Sequence, residues 1–175
     1  LIDTKNIIID SKSGYSGAGK KFDFNKMKSK NDYNFYNYNT NNHRHISEIK
    51  QEFTNFAKDE VTFTFNPHIL PNFRGMMSTI YCDLKPGISF ENTKKLLQSY
   101  SEENIFIDLL NDDSRSDFFS VQRTNKCVLK LLKGHKKDKI IIISLIDNLV
   151  KGAAGQATQC FNLSFNLEES TALKL

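Results

Sequence analysis

Within six residues, His43-Arg44-His45-Ile46-Ser47-Glu48 sets two imidazoles, a guanidinium and a carboxylate just ahead of an apolar periodic stretch. An imidazole titrates near neutrality and can take or give a proton. A guanidinium clamps an anion, and a neighbouring carboxylate favours the protonated ring and fixes its orientation. Glu48, three residues after His45, can reach back across a helix start. The same residues would equally serve a polar helix entrance in which Glu48 complements the helix dipole, and local chemistry does not choose between the two.

Three further segments carry candidate chemistry. Residues 13–21 (SGYSGAGKK) form a loop of small residues whose backbone N–H groups could meet a phosphate or carboxylate beside Lys20 and Lys21. The loop lacks both the G-x-G-x-x-G spacing of a dinucleotide fingerprint and the G-x-x-x-x-G-K-[ST] of a Walker A loop. A tight turn with exposed lysines explains it as well. Residues 147–157 (DNLVKGAAGQA) follow an apolar strand with a run of small residues, which lets a dinucleotide or another subunit approach a helix N-terminus closely; tight helix packing accounts for the same alanines and glycines. His68 and Arg74 lie near strand ends, where a lone histidine is usually packed and hydrogen-bonded. No Cys, His or acidic grouping has metal-ligand spacing, so no metal site is expected.

Hydrophobic period predicts the strands and helices that carry these residues. Strands are expected over residues 6–10, around Val61, Phe63 and Phe65, and over 76–83 and 105–110. A hairpin pairs 127–132 with 139–146 across the basic tip Gly134-His135-Lys136-Lys137-Asp138, and a proline-bounded loop spans 67–71. One helix starts near Ser47 as N-cap and buries Ile49, Phe53, Phe56 and Ala57; a second opens at Ser89 and runs to about Tyr100 with Leu96, Leu97 and Tyr100 inward. A last helix begins within 148–152. Residues 31–42 (NDYNFYNYNTNN) read as compositional drift over an ordered segment. Strands and helices alternate without βαβ regularity, so the expected class is α+β with a mixed, mostly antiparallel sheet.

Bulk properties fit one ordinary domain: 175 residues, 39% apolar and 25% charged. The net charge of +4, from 24 basic against 20 acidic residues, is too mild to demand nucleic acid, although it helps attract anionic substrates. Basic residues are not interleaved with aromatics on one sheet face as an RNA-binding module would need. Cys82, Cys127 and Cys160 are widely spaced and odd in number, read as free thiols of a cytoplasmic protein. No apolar run reaches the roughly 18 residues needed to span a bilayer, so neither membrane nor nucleic acid is expected as a partner.

In order and spacing, Asp10-Ser11-Lys12-Ser13-Gly14 with Ser16-Gly17-Ala18-Gly19-Lys20, His43-Arg44-His45 with Glu48-Ile49, Phe65-Asn66-Pro67-His68-Ile69-Leu70-Pro71 with Arg74-Gly75, and residues 147–157 resemble the N-acetyl-gamma-glutamyl-phosphate reductase family, relatives of aspartate-semialdehyde dehydrogenase. Each motif is weak alone; four in the correct order are strong.

The resemblance implies a glyceraldehyde-3-phosphate-dehydrogenase-like catalytic and dimerisation domain with helices on one face of its sheet, over residues 1–147. Residues 148–175 would hold a C-terminal helix that docks on an absent NADP-binding domain and exposes an apolar face around Val150, Ala154, Phe161 and Leu163. It also implies a reaction. A cysteine thiolate attacks an acyl phosphate, phosphate leaves, and NADPH reduces the thioester to an aldehyde while a histidine acts as acid/base. His45 is the preferred acid/base with Glu48 orienting it, and His43 stands second. Lys20, Arg44 and Arg74 would meet the substrate's carboxylate and phosphate; Lys20 departs from an expected arginine and replaces a bidentate fork by a point charge. Ser16, Gly17, Asn148 and Gly152 would face NADP(H). Partners would be the acyl phosphate and further copies of the chain, as a dimer or tetramer. Neither a nucleotide fingerprint nor a nucleophile-like cysteine setting is found, so the chain reads as a fragment, inactive by itself. A related aspartyl or amino-adipyl enzyme, or a non-catalytic oligomerisation module, are the alternatives.

Overall fold

Alternation decides the sheet. Along β1 (Ile7–Gly14), Ile7, Ile9 and Ser11 turn inward and are buried, while Ile8, Asp10 and Lys12 face outward. β3 (Phe63–Leu70) lies parallel to β1 in register Ile9 to Phe65, and β4 (Met76–Asp83) lies antiparallel to it in register Ile9 to Ile80. A two-residue β2 (Tyr36–Asn37) edges β3. On the other side β7 (Lys139–Ile146), β6 (Cys127–Lys133) and β5 (Ile107–Leu109) continue the sheet. The computed structural model describes residues 1–19, 22–28 and 32–175, without the Lys26 side chain. Among them the spatial order is β2-β3-β1-β4-β7-β6-β5, with only β1–β3 and β5–β6 parallel. The class is therefore α+β with a mixed, mostly antiparallel sheet.

Helices α1 (Ile46–Phe56) and α2 (Phe90–Glu103) cover the inner face. Each lays down a stripe at i, i+3 and i+7: Ile46, Ile49 and Phe53 from α1, and Phe90, Thr93 and Leu97 from α2. Ile49, Phe53 and Leu97 pack inward as expected, whereas Phe56, Leu96 and Tyr100 stand exposed. Ile7, Phe65, Leu131 and Ile140 fill the core beneath. On the outer face Val121 and Phe118 cover Val128, Leu145 and Ile143 of the β6–β7 end, and Ile8 and Tyr81 remain exposed.

Several boundaries differ from expectation. β1 continues four residues past the expected end at Asp10, to Gly14, and takes in the start of the glycine-rich segment. β3 runs through Pro67 to Leu70 where a loop was expected: on its outer side β2 pairs from His68 onward, and Tyr38 beside Pro67 uses that residue's carbonyl as acceptor, so the missing proline N–H costs little. The N-cap of α1 is His45 rather than Ser47. Ser47 Oγ instead lies 3.4 Å from the Arg44 carbonyl. Ser89 caps α2 as expected, its Oγ accepting the Asn92 N–H at 3.1 Å. The C-terminal helix begins later: a wide turn with i to i+5 hydrogen bonds occupies Val150–Ala154, and α3 spans Gly155–Ser164.

Asp147 anchors this end of the sheet. It is fully buried, and its carboxylate accepts from Arg74 Nε (2.5 Å) and from the backbone N–H groups of Arg123 (2.6 Å), Leu149 (2.8 Å) and Val150 (3.0 Å). Burial pushes its pKa up, but the hydrogen bonds from Arg123, Leu149, Arg74 and Val150 outweigh it and leave the value below the ordinary carboxylate range. A depressed folded pKa stabilises above the unfolded value, near 4, and that stability is lost as pH falls through the folded value. Asp147→Ala should cost about 3–5 kcal/mol in urea unfolding at pH 7, since it strands a guanidinium and three N–H groups; the difference from the unsubstituted chain should shrink below about pH 4. A loss under about 1 kcal/mol at pH 7 would contradict the anchoring role.

Candidate functional site

The loop after β1 is built by glycines. A Cβ on Gly14 would strike the Phe73 carbonyl oxygen at 2.7 Å, and one on Gly75 (φ +114°) would strike the Phe118 ring at 2.3 Å. Gly14 N–H donates to the Gly75 carbonyl at 2.8 Å, which draws residues 72–75 against the end of β1. Asn148 closes the junction. Its Oδ1 accepts the Gly75 N–H at 2.7 Å, and its Nδ2 donates to Ser16 Oγ at 2.9 Å and to the Gly14 carbonyl at 3.4 Å. Gly17 lies against the same amide: a Cβ there would meet Ser13 Oγ at 2.9 Å and Asn148 Nδ2 at 3.3 Å.

Ser16, Gly17, Asn148 and Arg74 are therefore brought together, with Arg74 held by Asp147 through Nε. Lys20 lies outside the described residues. Gly152 sits in the wide turn and, unlike Gly14 and Gly75, is not required by packing: a Cβ there would find its nearest atom, Ile146 Cδ1, at 3.4 Å. It is exposed together with Ala153 and Ala154 and presents a small, smooth surface.

The histidines form a second group. The His45 backbone N–H donates to His43 Nδ1 at 3.3 Å, Ile46 N–H donates to the His43 carbonyl at 3.0 Å, and Tyr38 Oη lies 3.2 Å from His43 Nε2. The His43 ring meets those of His45, Tyr38 and Phe65 edge-on, at 4.7, 5.4 and 5.5 Å between centroids. Partial burial, then the charges of His45 and Arg44, lower the pKa of His43. His45 is exposed at the head of α1, and so are Arg44 and Glu48. Glu48 makes no hydrogen bond or ion pair with His45 among the described residues; the side chain that touches His45 is His43.

The His43 ring meets Phe65, and Gly14 at the other group pairs with Leu70, about 16 Å further along β3 at roughly 3.3 Å per residue. Sequence reasoning missed Tyr38, hidden in the Asn/Tyr-rich stretch, and the central place of Asp147. It also missed Lys151, whose Nζ donates to Gln159 Oε1 at 2.6 Å and lies 5.4 Å from the Phe106 ring centroid. Asn125 Nδ2 donates to the same Gln159 oxygen at 2.8 Å, and Lys174 O accepts the Asn125 N–H at 2.7 Å, so α3 and the tail are tied to this domain. Ala154, Phe161 and Leu163 are exposed, whereas Val150 is half-buried against Gly155.

Burial pushes the Cys82 thiol up to about 11 and raises that of Cys127, so neither is poised as a thiolate. Cys160 is exposed on α3 with Gln156 Nε2 at 3.5 Å. Among the described residues no group of three or more His, Cys, Asp or Glu could hold a metal, and no helix is long and apolar enough to cross a membrane.

The chain is 41% identical over 173 residues to an N-acetyl-gamma-glutamyl-phosphate reductase of Acetivibrio thermocellus, covering 99% of this chain and 50% of that one. It is 40% identical over 175 residues to a reductase of the same name from Clostridium botulinum, covering 100% and 51%. A probable chloroplastic N-acetyl-gamma-glutamyl-phosphate reductase of Arabidopsis thaliana is 38% identical, with 99% of this chain and 43% of that one covered. The chain thus spans about half the length of these relatives. In three dimensions it resembles aspartate semialdehyde dehydrogenase II of Vibrio cholerae, with a TM-score of 0.73 at 16% identity, covering 95% of this chain and 56% of the other. A family model described as semialdehyde dehydrogenase, dimerisation domain, matches residues 1–148, and the chain belongs to that family.

Proposed function

We propose that this chain supplies the acid/base and substrate-binding half of an N-acetyl-gamma-glutamyl-phosphate reductase. The enzyme would be an oxidoreductase that uses NADPH to reduce N-acetyl-glutamyl 5-phosphate to the 5-semialdehyde with release of phosphate, a step in arginine biosynthesis. The observation that carries the reading is identity near 40% along the whole chain to reductases of that name, against 16% to the aspartate enzyme. The nucleophilic cysteine and the nucleotide fold would come from the half of the relatives that this chain does not span.

NADP(H) would supply the hydride. The Ser16–Asn148 junction and the bare surface at Gly152, which packing leaves free for a side chain, fit close approach of such a cofactor. Its binding domain would dock against the 148–175 segment, where exposed Phe161 and Leu163 supply apolar surface. His45, exposed at the head of α1, would give and take the proton at the reacting carbonyl. Arg44, Lys20 and the outer edge of the Arg74 guanidinium would meet carboxylate and phosphate. Glu48, in the first turn of α1, adds negative charge near the imidazoles and the helix N-terminus. Further copies of the chain would join as a dimer or tetramer through the open part of the outer sheet face at Ile8 and Tyr81. Free thiols fit a reducing, cytoplasmic setting.

A chimera with the N-terminal half of the Acetivibrio thermocellus reductase ahead of this chain should oxidise N-acetylglutamate semialdehyde with NADP and phosphate. His45→Ala should lower kcat by about 100-fold or more with the circular dichroism unchanged. No turnover from a well-folded chimera would contradict the reading, and undiminished turnover by His45→Ala would remove the acid/base assignment. In the same protein Gly152→Val should raise the KM for NADP about tenfold, equivalent to about 1.4 kcal/mol, because the added methyls take cofactor space. Unchanged KM would place the cofactor elsewhere.

A further inference from the structure

Two nitrogens of one imidazole are engaged in the histidine group, and this separates the roles of the two rings. His43 Nδ1 accepts the His45 N–H, so in the neutral ring the proton sits on Nε2, 3.2 Å from Tyr38 Oη. A ring whose two nitrogens are both committed has no free lone pair for proton transfer. We propose, building on the function above, that Tyr38 and His43 are positioning residues: Tyr38 accepts the His43 Nε2–H, and His43 fixes the backbone and ring of the acid/base His45.

Several observations bear on this together. At the start of α1 the His43 ring satisfies one otherwise unpartnered donor, the N–H of the N-cap residue His45, which itself makes no side-chain cap hydrogen bond. Phe65, 5% exposed on β3, backs the His43 ring, and the Asn41 side chain holds the Phe65 N–H at 2.9 Å. Tyr38 N–H donates to the Pro67 carbonyl at 3.0 Å and Asn41 N–H to the Phe65 carbonyl at 3.0 Å, so the residues that carry the tyrosine and precede the histidine are both hydrogen-bonded to β3. The pKa of His43 is lowered and that of Tyr38 is raised, in each case with burial as the largest cause, which keeps a neutral ring facing a neutral phenol. His45 is left exposed, with its ring edge against the His43 ring at 4.7 Å between centroids. The arrangement matches the general design in which a working imidazole is oriented by a neighbour that does no chemistry.

The test reads the imidazoles directly and then the rate. Long-range proton–nitrogen NMR of the nitrogen-15-labelled chain at neutral pH should show His43 bare at Nδ1 and protonated at Nε2. The Nε2 proton should exchange slowly enough to be observed, and its signal should vanish in Tyr38→Phe. A His43 protonated on Nδ1, or an Nε2 proton unaffected by Tyr38→Phe, overturns the proposal whether or not the reaction is the one assigned above. In the chimera, Tyr38→Phe should lower kcat about tenfold with the acyl-phosphate KM within about twofold, as expected when a catalytic group is misoriented but substrate binding survives. His43→Asn keeps an acceptor for the His45 N–H, so α1 should persist, and its loss should match that of Tyr38→Phe and not add to it. A loss in His43→Asn as large as that in His45→Ala would move the acid/base to His43 and overturn the proposal. An unsubstituted chimera without turnover would instead overturn the reaction, with the NMR result standing apart from it.

Discussion

At the end of β7 a buried carboxylate is followed at once by a buried carboxamide, and much of the architecture hangs on that dipeptide. Asp147 gathers a guanidinium and three backbone N–H groups from segments far apart in sequence. Asn148 uses both ends of its amide, accepting from Gly75 and donating toward Ser16 and Gly14. The loop after β1, the β3–β4 connection, the 121–125 turn and the wide turn before α3 thereby share one fixed point. An ionised carboxylate in such a place is tolerated only because its hydrogen bonds replace the water it gave up.

That fixed point explains why the small residues fall where they do. Gly14 and Gly75 permit backbone segments to touch, and Gly17 lets Ser13 and Asn148 pack beside the loop. Gly152 differs, because nothing in the chain demands that it lack a side chain. A glycine with no internal reason is where an external one is best sought, and the cofactor reading places that reason outside the chain.

Much of the fold could be read from the sequence because alternation and helix period are local signals: β4 and the β6–β7 hairpin fall within a residue of their expected bounds. The errors came where tertiary context decides. Pro67 marks a loop only if its neighbour needs the missing N–H, and the short β2 does not. Phe56, Leu96 and Tyr100 looked inward because apolar residues recur there, but the sheet accepts only one narrow stripe of each helix. Of the site, the clustering of Ser16, Gly17 and Asn148 was legible through motif order. The partner of His45 was not: a carboxylate three residues along is an obvious candidate, whereas His43 pinned by Tyr38 depends on how the 38–43 segment pairs with β3. Nothing in an Asn- and Tyr-rich stretch singles that tyrosine out.

If the clasp at residues 147–148 holds the site together, its strength must be visible at a single amide. Native-state hydrogen exchange of the Gly75 N–H, which donates to Asn148 Oδ1 at 2.7 Å, measures it directly. Protection at Gly75 should be comparable to that of the central strands and should collapse in Asn148→Ala while amides of β7 such as Ile142 stay protected. A Gly75 amide that exchanges as freely as the hairpin tip, or one indifferent to Asn148→Ala, would contradict the clasp.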